Sequence, residues 1–600
     1  MAEITPMMKQ YLEIKEQNKD SILFFRLGDF YEMFNEDAQL ASRELDLTLT
    51  TRDRGKAAED QTPMCGIPYH SSDAYIARLI AKGYKVAICE QTEDPALAKG
   101  LVKRDIIRVI TPGTVIDSAC LDDRRGNFLC GIFLDGQNAG AAFCDMTTGH
   151  THVTAFSGDD RAEHLYNELS RFSPAEAVLS AGAYDNGELV EYLRDKLSCA
   201  VERGENRFEL KACEKAIRAQ FGEECFASLP RNNPAASLAL GALLSYLHET
   251  QKTDLSYIKD LEYYEQGRFM ELDLSARRNL ELTETIRAKE KRGSLLWVLD
   301  KTKTAMGARN LRAWLTRPLR DVAAIERRLG AVEALTKNTV AREELILALS
   351  GISDMERLIG RIAYGTAGGR DFASLRSSIE RITEVKAQLT AFTTGRLHEL
   401  DNELDTLTDV AQSIRETLID EPPFSVREGG FIRKGYNAEV DRLHEILSGG
   451  KGLLADIETR EKEKTGIRTL KIGYNKVFGY YIEVSNSFKD LVPDTYIRKQ
   501  TLVNGERYIT EELKNLEQEI LTAGDRDKAL EFEIFTALRE SVTAESVRIQ
   551  RAAGLIAELD TLCSLASVAV NNNYCRPSVD DSGVIEIHDG RHPKSEAKRS

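Results

Sequence analysis

Hydrophobic positions in the first part of the chain follow helical and strand spacing in turn. Met8, Tyr11 and Ile14 recur at the intervals of an amphipathic helix, whereas short apolar runs bounded by polar residues are typical of buried strands. The pattern predicts helices at residues 7–18, 35–45 and 73–82 and strands at residues 21–25 and 85–89. A Pro-Gly pair at 112–113 then ends the pattern. Residues 1–112 are therefore predicted to form one compact α/β unit.

A second α/β region is predicted at residues 113–250. Two apolar runs, 128–133 and 139–145, flank the turn-forming sequence Asp-Gly-Gln-Asn, which predicts paired strands. A third strand is predicted near residues 152–156, and helical and strand patterns then alternate to about residue 250. The four leucines at positions 240, 243, 244 and 247 have the spacing of a core-facing helix.

Long helical patterns replace this alternation from about residue 251. An inserted segment interrupts them, with a helix predicted at 438–464 and alternating apolar positions on both sides of a turn at 475–479, which predicts a β-hairpin. A last short strand is predicted at 583–587. The predicted segments are a first helical part at 251–425, the β-rich insertion at 426–508, a returning helical part at 509–577 and a final part at 578–600.

The net charge of −16, from 80 basic and 96 acidic residues, argues against a nucleic-acid partner for the chain as a whole. DNA responds to the local field, however, and the region from Arg460 to Arg507 holds ten Lys or Arg residues against six Asp or Glu residues. This local net charge of +4 favours sequence-independent contact with phosphates. The alternative is a solvent-exposed strand edge guarded by lysines.

Residues 24–34 are unusually aromatic, with five rings in eleven positions. An apolar strand is followed by a turn at Gly28 and Asp29 and then by a new aromatic element. One interpretation is a core strand whose rings pack inside the domain. The other is a wedge at Phe30 that enters the minor groove and unstacks a base step, with Glu32 hydrogen-bonding a displaced base.

A basic loop at residues 51–56 lies in the same predicted unit. Arg52 and Arg54 are candidates for phosphate contact, with an ordinary surface loop as the alternative. His70 is a further candidate for contact with the DNA backbone, although a lone histidine is more often structural.

Few features of the sequence indicate catalysis or metal binding. The ten cysteines include no C-x-x-C pair, which indicates buried free thiols rather than a zinc or redox site. Asp135 and Asp145 lie near predicted strand ends, but a metal-dependent nuclease needs a larger cluster of carboxylates. The phosphate-binding sequence G-x-x-x-x-G-K-[ST] does not occur. We therefore expect no metal, no cofactor and no ATP hydrolysis by that route in this chain.

Targeting and membrane segments are not predicted. The first residues lack a basic region followed by an apolar core, and no uninterrupted apolar run reaches about 18 residues. The expected location is the cytoplasm, where free thiols persist.

The stretch around Phe30 resembles the Phe-x-Glu motif of the MutS family, whose members recognise mismatched DNA. Several segments resemble other parts of that family in its order and spacing, namely 63–70, 86–91 and 108–114 for the same domain, 269–282 and 307–319 for the core or lever, and 426–508 for the clamp. An ordered set of this kind is far more specific than a single tripeptide.

The resemblance implies a multidomain fold that is α/β and then mainly α. The expected domains are a mismatch-recognition domain at 1–112, an RNase H-like connector at 113–250, lever helices at 251–425 and 509–577, an inserted β-rich clamp at 426–508 and the start of an ATPase domain at 578–600. Phe30 is expected to stack on a mispaired base and Glu32 to hydrogen-bond it. The residues expected to hold the DNA backbone are Lys471, Asn475, Lys476, Arg498 and Lys499.

The resemblance also implies partners and a cofactor. ATP and Mg²⁺ are expected for an intact family member, and residues 590–593 resemble the entry to its ATPase domain, so the chain is expected to be truncated at that boundary. The expected partners are duplex DNA with mismatches or small loops, a second copy of the chain in the intact family, and MutL as the downstream partner. The expected location is the cytoplasm, in association with the nucleoid, and no membrane partner is expected. A relative that binds branched or undamaged DNA is the main alternative, and an RNase H-like nuclease is a less favoured one.

Overall fold

The computed structural model describes residues 5–52, 61–93, 100–117, 120–252, 255–265, 267–423, 425–475 and 479–597. The chain divides into two units. The first comprises Met1–Thr366, Ser377–Leu407 and Thr543–Ser600, and the second comprises Ala367–Arg376 and Thr408–Val542.

The N-terminal part of the first unit is a six-stranded sheet with helices on both faces. Its elements are α1 (Pro6–Glu16), β1 (Ser21–Leu27), β2 (Phe30–Phe34), α2 (Asn35–Leu45), β3 (Thr50–Thr51), β4 (Pro63–Pro68), α3 (Ser72–Ala81), β5 (Lys85–Gln91) and β6 (Arg104–Ile110). The strand order is β3-β4-β2-β1-β5-β6; β1 and β5 are parallel, and all other neighbours are antiparallel. Tyr11 of α1 packs on Phe25 and Phe34 on one face, and α2 and α3 cover the other. The predicted helices and strands here are confirmed to within two residues.

A second six-stranded sheet follows in the same unit. Its elements are β7 (Phe128–Leu134), β8 (Asn138–Asp145), β9 (His150–Ser157), α4 (Arg161–Phe172), β10 (Glu176–Leu179), α5 (Ala181–Tyr184), α6 (Gly187–Glu191), β11 (Ala200–Arg203), α7 (Leu210–Ala227), α8 (Ala235–Gln251) and β12 (Asp260–Tyr263), with strand order β11-β10-β7-β8-β9-β12. The three predicted strands and the leucine-rich helix are confirmed. Helix α8 lies flat on the sheet because Gly131 and Gly140 have no side chain; a Cβ at either would lie 2.2 Å from a carbonyl oxygen of the helix.

The remaining chain is mainly helical, as predicted. Its helices are α9 (Leu274–Asn279), α10 (Leu295–Leu299), α11 (Ala305–Thr316), α12 (Val322–Lys337), α13 (Thr339–Leu349), α14 (Met355–Tyr364), α15 (Gly369–Leu389), α16 (Gly395–Glu403), α17 (Thr408–Thr417), α18 (Ala438–Thr465), α19 (Glu511–Ala544), α20 (Ser546–Asn571) and α21 (Pro593–Ala597), and its strands are β13 (Lys471–Asn475), β14 (Gly479–Ser485), β15 (Ile497–Thr501) and β16 (Gly505–Ile509).

Helix α20 is a core helix of the first unit. Its buried Asp560 accepts hydrogen bonds from the backbone N–H groups of Lys303 and Thr304 and from the Thr304 hydroxyl, which fixes the beginning of α11. By length and composition it is the one helix in the described ranges that could cross a membrane, but 67% of its apolar window is buried inside the protein. Glu558 and Asp560 interrupt its apolar sequence.

The second unit holds a four-stranded antiparallel sheet with the order β13-β14-β16-β15. The predicted hairpin is confirmed as β13 and β14, with Lys471 opposite Glu483 and Asn475 opposite Gly479. A core that includes Leu470, Ile482 and Val484 supports it, and α18 confirms the predicted helix at 438–464. Tyr474, which the alternating pattern places on the same face as Leu470, is instead 55% exposed.

The strand predicted at 583–587 does not form. These residues are non-regular, and Val584, Ile585 and Ile587 are exposed. A strand needs backbone hydrogen bonds from a neighbour, and no strand in the described part of the chain pairs with this segment. Apolar composition alone therefore does not make this segment a strand.

All ten cysteines are free, in agreement with the prediction from their spacing. Seven are buried, Cys120 and Cys225 are half-buried, and Cys575 is exposed.

Candidate nucleic-acid interface

Phe30 is an exposed aromatic residue at the tip of a hairpin. Strands β1 and β2 are joined by a turn in which Gly28 has φ of +56°, a conformation that favours glycine. Phe30 pairs with Leu27 on one side and Pro68 on the other, and the N–H of Tyr69 donates to the carbonyl of Asp29 at 3.0 Å. Phe30 is 45% exposed although its backbone is paired with a strand on each side.

Glu32 lies on the same face of β2, because side chains two positions apart on a strand point the same way. Its cross-strand neighbour on β4 is Gly66, which has no side chain to cover it. No described residue hydrogen-bonds the Glu32 carboxyl, which is half-buried. Partial burial raises the pKa of Glu32, and the positive charge of Arg52 opposes the shift.

The other end of this face is closed. Phe34, two residues beyond Glu32, is buried against Tyr11 of α1 with ring centroids 4.9 Å apart. The buried carboxylate of Asp37 accepts hydrogen bonds from the N–H of Leu23 and the ammonium of Lys15, at 3.0 and 2.9 Å. These contacts fix α1 over Phe34 and leave Glu32 and Phe30 beyond its cover.

Of the two basic-loop candidates, the structure describes Arg52. Its guanidinium lies 6.0 Å from the ring centroid of Phe34, close to Glu32. Arg54 lies in residues 53–60, outside the described ranges.

His70 is exposed and lies beside the hairpin tip. The rings of His70 and Tyr69 meet edge-on, with their centroids 5.8 Å apart. The guanidinium carbon of Arg26 lies 3.4 Å from the centroid of the Tyr69 ring. Arg26 in turn lies 3.4 Å from the carboxylate of Glu90. Sequence reasoning missed Arg26, Tyr69 and Gly66. A glycine inside the strand sequence Pro63–Pro68 was the available signal for Gly66, since it marks a close approach or an open position.

The candidates in the second unit lie on opposite edges of its sheet. Lys471 and Asn475 are on the edge strand β13, whereas Arg498 and Lys499 are on the other edge strand, β15. Three strand spacings separate these edges, or about 14 Å. Lys471 and Lys499 are exposed, and Arg498 is 63% exposed and lies 3.3 Å from Glu506. Lys476 lies outside the described residues.

Asp135 and Asp145 do not form a catalytic pair. Asp135 lies in the turn before β8 and Asp145 is the last residue of that strand, which spans about 23 Å. Asp145 is buried and accepts from the N–H groups of Thr147 and Asn127, and Asp135 accepts from the N–H groups of a tight turn. Both carboxylates therefore have structural roles.

One cluster in the described ranges has metal-ligand spacing, and sequence reasoning missed it. His444 Nε2 of α18 lies 3.1 Å from Asp527 Oδ2 and 3.4 Å from Glu531 Oε1, both on α19. The signal was the four-residue spacing of Asp527 and Glu531, which places both on one helix face. As it stands, the cluster is a set of close contacts between one imidazole and two carboxyl groups that joins the two helices.

Comparison with known proteins agrees with this arrangement. Residues 5–119 match MutS domain I, residues 127–259 match MutS domain II, and residues 275–566 match MutS domain III.

Several curated relatives are called DNA mismatch repair protein MutS. The chain is 48% identical over 597 residues to that of Acetivibrio thermocellus, covering 99% of this chain and 68% of the relative. It is 47% identical over 591 residues to that of Desulforamulus reducens, covering 98% and 68%, and 45% identical over 595 residues to that of Lachnoclostridium phytofermentans, covering 99% and 63%. From its domain matches and its close similarity to these proteins over nearly its whole length, the chain belongs to the MutS family.

Proposed function

We propose that this protein recognises mismatched or unpaired bases in duplex DNA, as the first step of DNA mismatch repair. The observation that carries the proposal is the exposed Phe30 beside the half-buried carboxyl of Glu32, which no described residue bonds, on a paired strand within the domain I match. A large exposed aromatic ring on a fully paired backbone suits insertion into a base stack.

Phe30 would enter from the minor groove and stack on the mispaired base. Stacking of one base on an aromatic ring contributes about 1–3 kcal/mol, and bending a site costs about 1–6 kcal/mol. On matched DNA these two terms nearly cancel. A mismatch is already poorly stacked, so its bend costs less, and discrimination comes from deformability as well as from direct contact.

Glu32 would hydrogen-bond the displaced base. The raised pKa of this carboxyl increases its protonated fraction, and a protonated carboxyl can donate to an acceptor on the base edge. The absence of a side chain at Gly66 leaves room for that base. Arg52, Arg54 and His70 would contact nearby phosphates.

We assign the clamp role to the sheet of the second unit, through Lys471, Asn475, Lys476, Arg498 and Lys499. Sequence-independent contact with phosphates suits exposed lysines on edge strands. The finer assignments follow the family: an RNase H-like connector at 113–250, a lever at 251–425 and 509–577, and the clamp at 426–508.

The wider biology is proposed by family analogy. ATP and Mg²⁺, a homodimer and MutL belong to the intact family member, as does a cytoplasmic, nucleoid-associated location. These 600 residues contain no G-x-x-x-x-G-K-[ST] sequence, so ATP hydrolysis by that route would need residues outside them. A relative that binds branched or undamaged DNA is disfavoured by Phe30 and Glu32, and a nuclease by the separation of Asp135 and Asp145.

The decisive experiment measures duplex binding at one fixed salt concentration. G·T, single-base-loop and matched duplexes are compared for the wild type, Phe30→Ala and Phe532→Ala. Phe532 is a matched control because it is 50% exposed and lies on α19, far along the chain from the hairpin. We expect the wild type and Phe532→Ala to prefer the two defective duplexes and Phe30→Ala to lose that preference. An unchanged preference in Phe30→Ala would exclude the wedge.

A further inference from the structure

A cavity of about 570 Å³ in the first unit has a large excess of cationic over anionic side chains in its lining. It lies between the second sheet, α4, the segment around α9, and helices α11, α12 and α20. Ten of its lining residues are Lys or Arg and three are Asp or Glu, which gives a net charge of +7 with neutral histidines. The whole chain carries −16, so this concentration of positive charge is not a consequence of composition.

Two of these guanidinium groups have no hydrogen-bond partner among the described residues, and a third is only partly bonded. Nε and Nη1 of Arg277 are buried without a hydrogen-bond acceptor, as is Nε of Arg312, and neither residue forms an ion pair with any described residue. The Arg171 side chain is 5% exposed and, although Nη1 reaches Glu168, its Nε and Nη2 are unpaired. Buried polar hydrogens are almost always bonded in native proteins, so an unpaired set that lines one cavity indicates an anion that binds there.

Mutual repulsion and burial act on the same groups. Burial lowers the pKa of Arg277 to about 10 and that of Arg317 to about 10, and in both cases the charge of Arg171 adds to the effect. Arg328, stacked 3.5 Å from the ring centroid of Trp314, has its pKa lowered to about 10 by burial, against the opposing negative charge of Glu558. These cationic groups are therefore held together at an electrostatic cost, and a multiply charged anion in the cavity would relieve it.

The geometry limits the size and type of the ligand. A volume of about 570 Å³ lies within the range of small-molecule sites, about 300–1,000 Å³, and is far too small for duplex DNA. Aromatic faces of Phe172 and Trp314 are already occupied by the guanidinium groups of Arg317 and Arg328. We therefore expect recognition to come chiefly from the charges of the lining.

We propose that this cavity binds a polyphosphate group, either free or as part of a nucleotide, through Arg171, Arg277, Arg312 and Arg317. Guanidinium groups match phosphate oxygens in geometry as well as in charge. The site is distinct from Phe30 and from the clamp lysines, so it does not depend on the function proposed above.

The test titrates the full chain with inorganic triphosphate, ATP and adenosine at matched ionic strength, by calorimetry and by the shift in melting temperature. We expect triphosphate and ATP to bind and raise the melting temperature, and adenosine to do neither. Arg277→Met and Arg312→Met should each weaken triphosphate binding about tenfold or more, whereas the exposed Arg381→Met should not.

A second readout separates a binding role from a structural one. Because Arg277 is buried and unpaired, Arg277→Met should raise the melting temperature of the ligand-free protein while it weakens binding. The proposal fails if triphosphate does not bind, if adenosine binds as well as ATP, if both cavity variants bind normally, or if duplex DNA displaces the triphosphate.

Discussion

Phe30 and Glu32 occupy the open end of a sheet face whose other end is closed by α1 over Phe34. The burial of Phe34 fixes the strand, and the exposure of Phe30 leaves a ring of apolar surface in water. Exposing this ring to water costs free energy in the isolated protein, and that free energy is recovered only when the ring contacts another apolar surface. The same face holds a carboxyl whose pKa is raised, so two single side chains supply both stacking and a proton-dependent hydrogen bond.

Binding of mismatched DNA should depend on pH through Glu32. Its pKa is raised in the folded protein, so the protonated form persists to higher pH than in a free side chain and is lost as pH rises through the raised pKa. We expect the preference for a G·T duplex over a matched one to fall across that interval. The measurement is the affinity for the G·T duplex and for the matched duplex as a function of pH, in the wild type and in Glu32→Gln. The amide of Glu32→Gln keeps a donor at every pH, so a pH dependence that remains in this variant would assign the effect to another group.

Gly66 should control access to Glu32. A Cβ there would lie 3.3 Å from the carbonyl oxygen of Tyr31 and 3.5 Å from Cγ of Glu32, which is tight but tolerable. Gly66→Val should therefore fold yet reduce discrimination between G·T and matched duplexes about tenfold or less, the loss of about one hydrogen bond. Gly136→Val, in the open turn before β8, is the control. Unchanged discrimination in Gly66→Val would show that the base does not approach over this strand.

Individual strands and helices were predictable where the local pattern contained the whole cause. The helical patterns predicted α1, α2 and α8, whereas the sequence indicated only a new aromatic element after Asp29, which the structure shows to be β2. The prediction of a strand at 583–587 was wrong because a strand also needs a neighbouring strand to pair with. The separation of Lys471 from Lys499 depended on strand order, which no single stretch of sequence encodes.

The loop before α18 is held to α19 by one buried carboxylate. Glu531 accepts from the N–H groups of Gly430 at 2.6 Å and Ile432 at 3.3 Å, and burial raises its pKa. Glu531→Ala leaves both N–H groups without that acceptor and should destabilise the second unit by about 2 kcal/mol. Hydrogen exchange of residues 429–432 should accelerate in Glu531→Ala, less so in Glu531→Gln, and not in the exposed Glu533→Ala. Equal protection in all four proteins would contradict this role.

Charge across the whole molecule is unevenly distributed. A chain with a net charge of −16 contains a β-rich segment of net +4 and a cavity of net +7, so its average charge says little about what it binds. The cavity could not be foreseen, because its lining runs from Arg125 to Ala557 and only the folded chain brings these residues together. The two edges of the four-stranded sheet in the second unit likewise became distinguishable only in three dimensions.

The salt dependence of DNA binding should show which clamp edge contacts phosphates. If Lys471 neutralises a phosphate, Lys471→Ala should weaken matched and mismatched binding alike and reduce the slope of log K against log salt by about 0.9. Lys499→Ala tests the opposite edge in the same way, and the exposed Lys211→Ala on α7 is the control. If neither clamp variant changes the slope, both lysines face solvent in the complex.

The burial of the cysteines makes the protein a convenient object for labelling. Burial raises the pKa of Cys65 to about 11 and that of Cys89 to about 12, so their reactive thiolates are scarce as well as inaccessible. Cys575, just beyond α20, is the exposed thiol. A maleimide dye should therefore attach there first in the unaltered protein. Energy transfer between two differently dyed preparations would then report whether copies of the chain associate, with and without DNA.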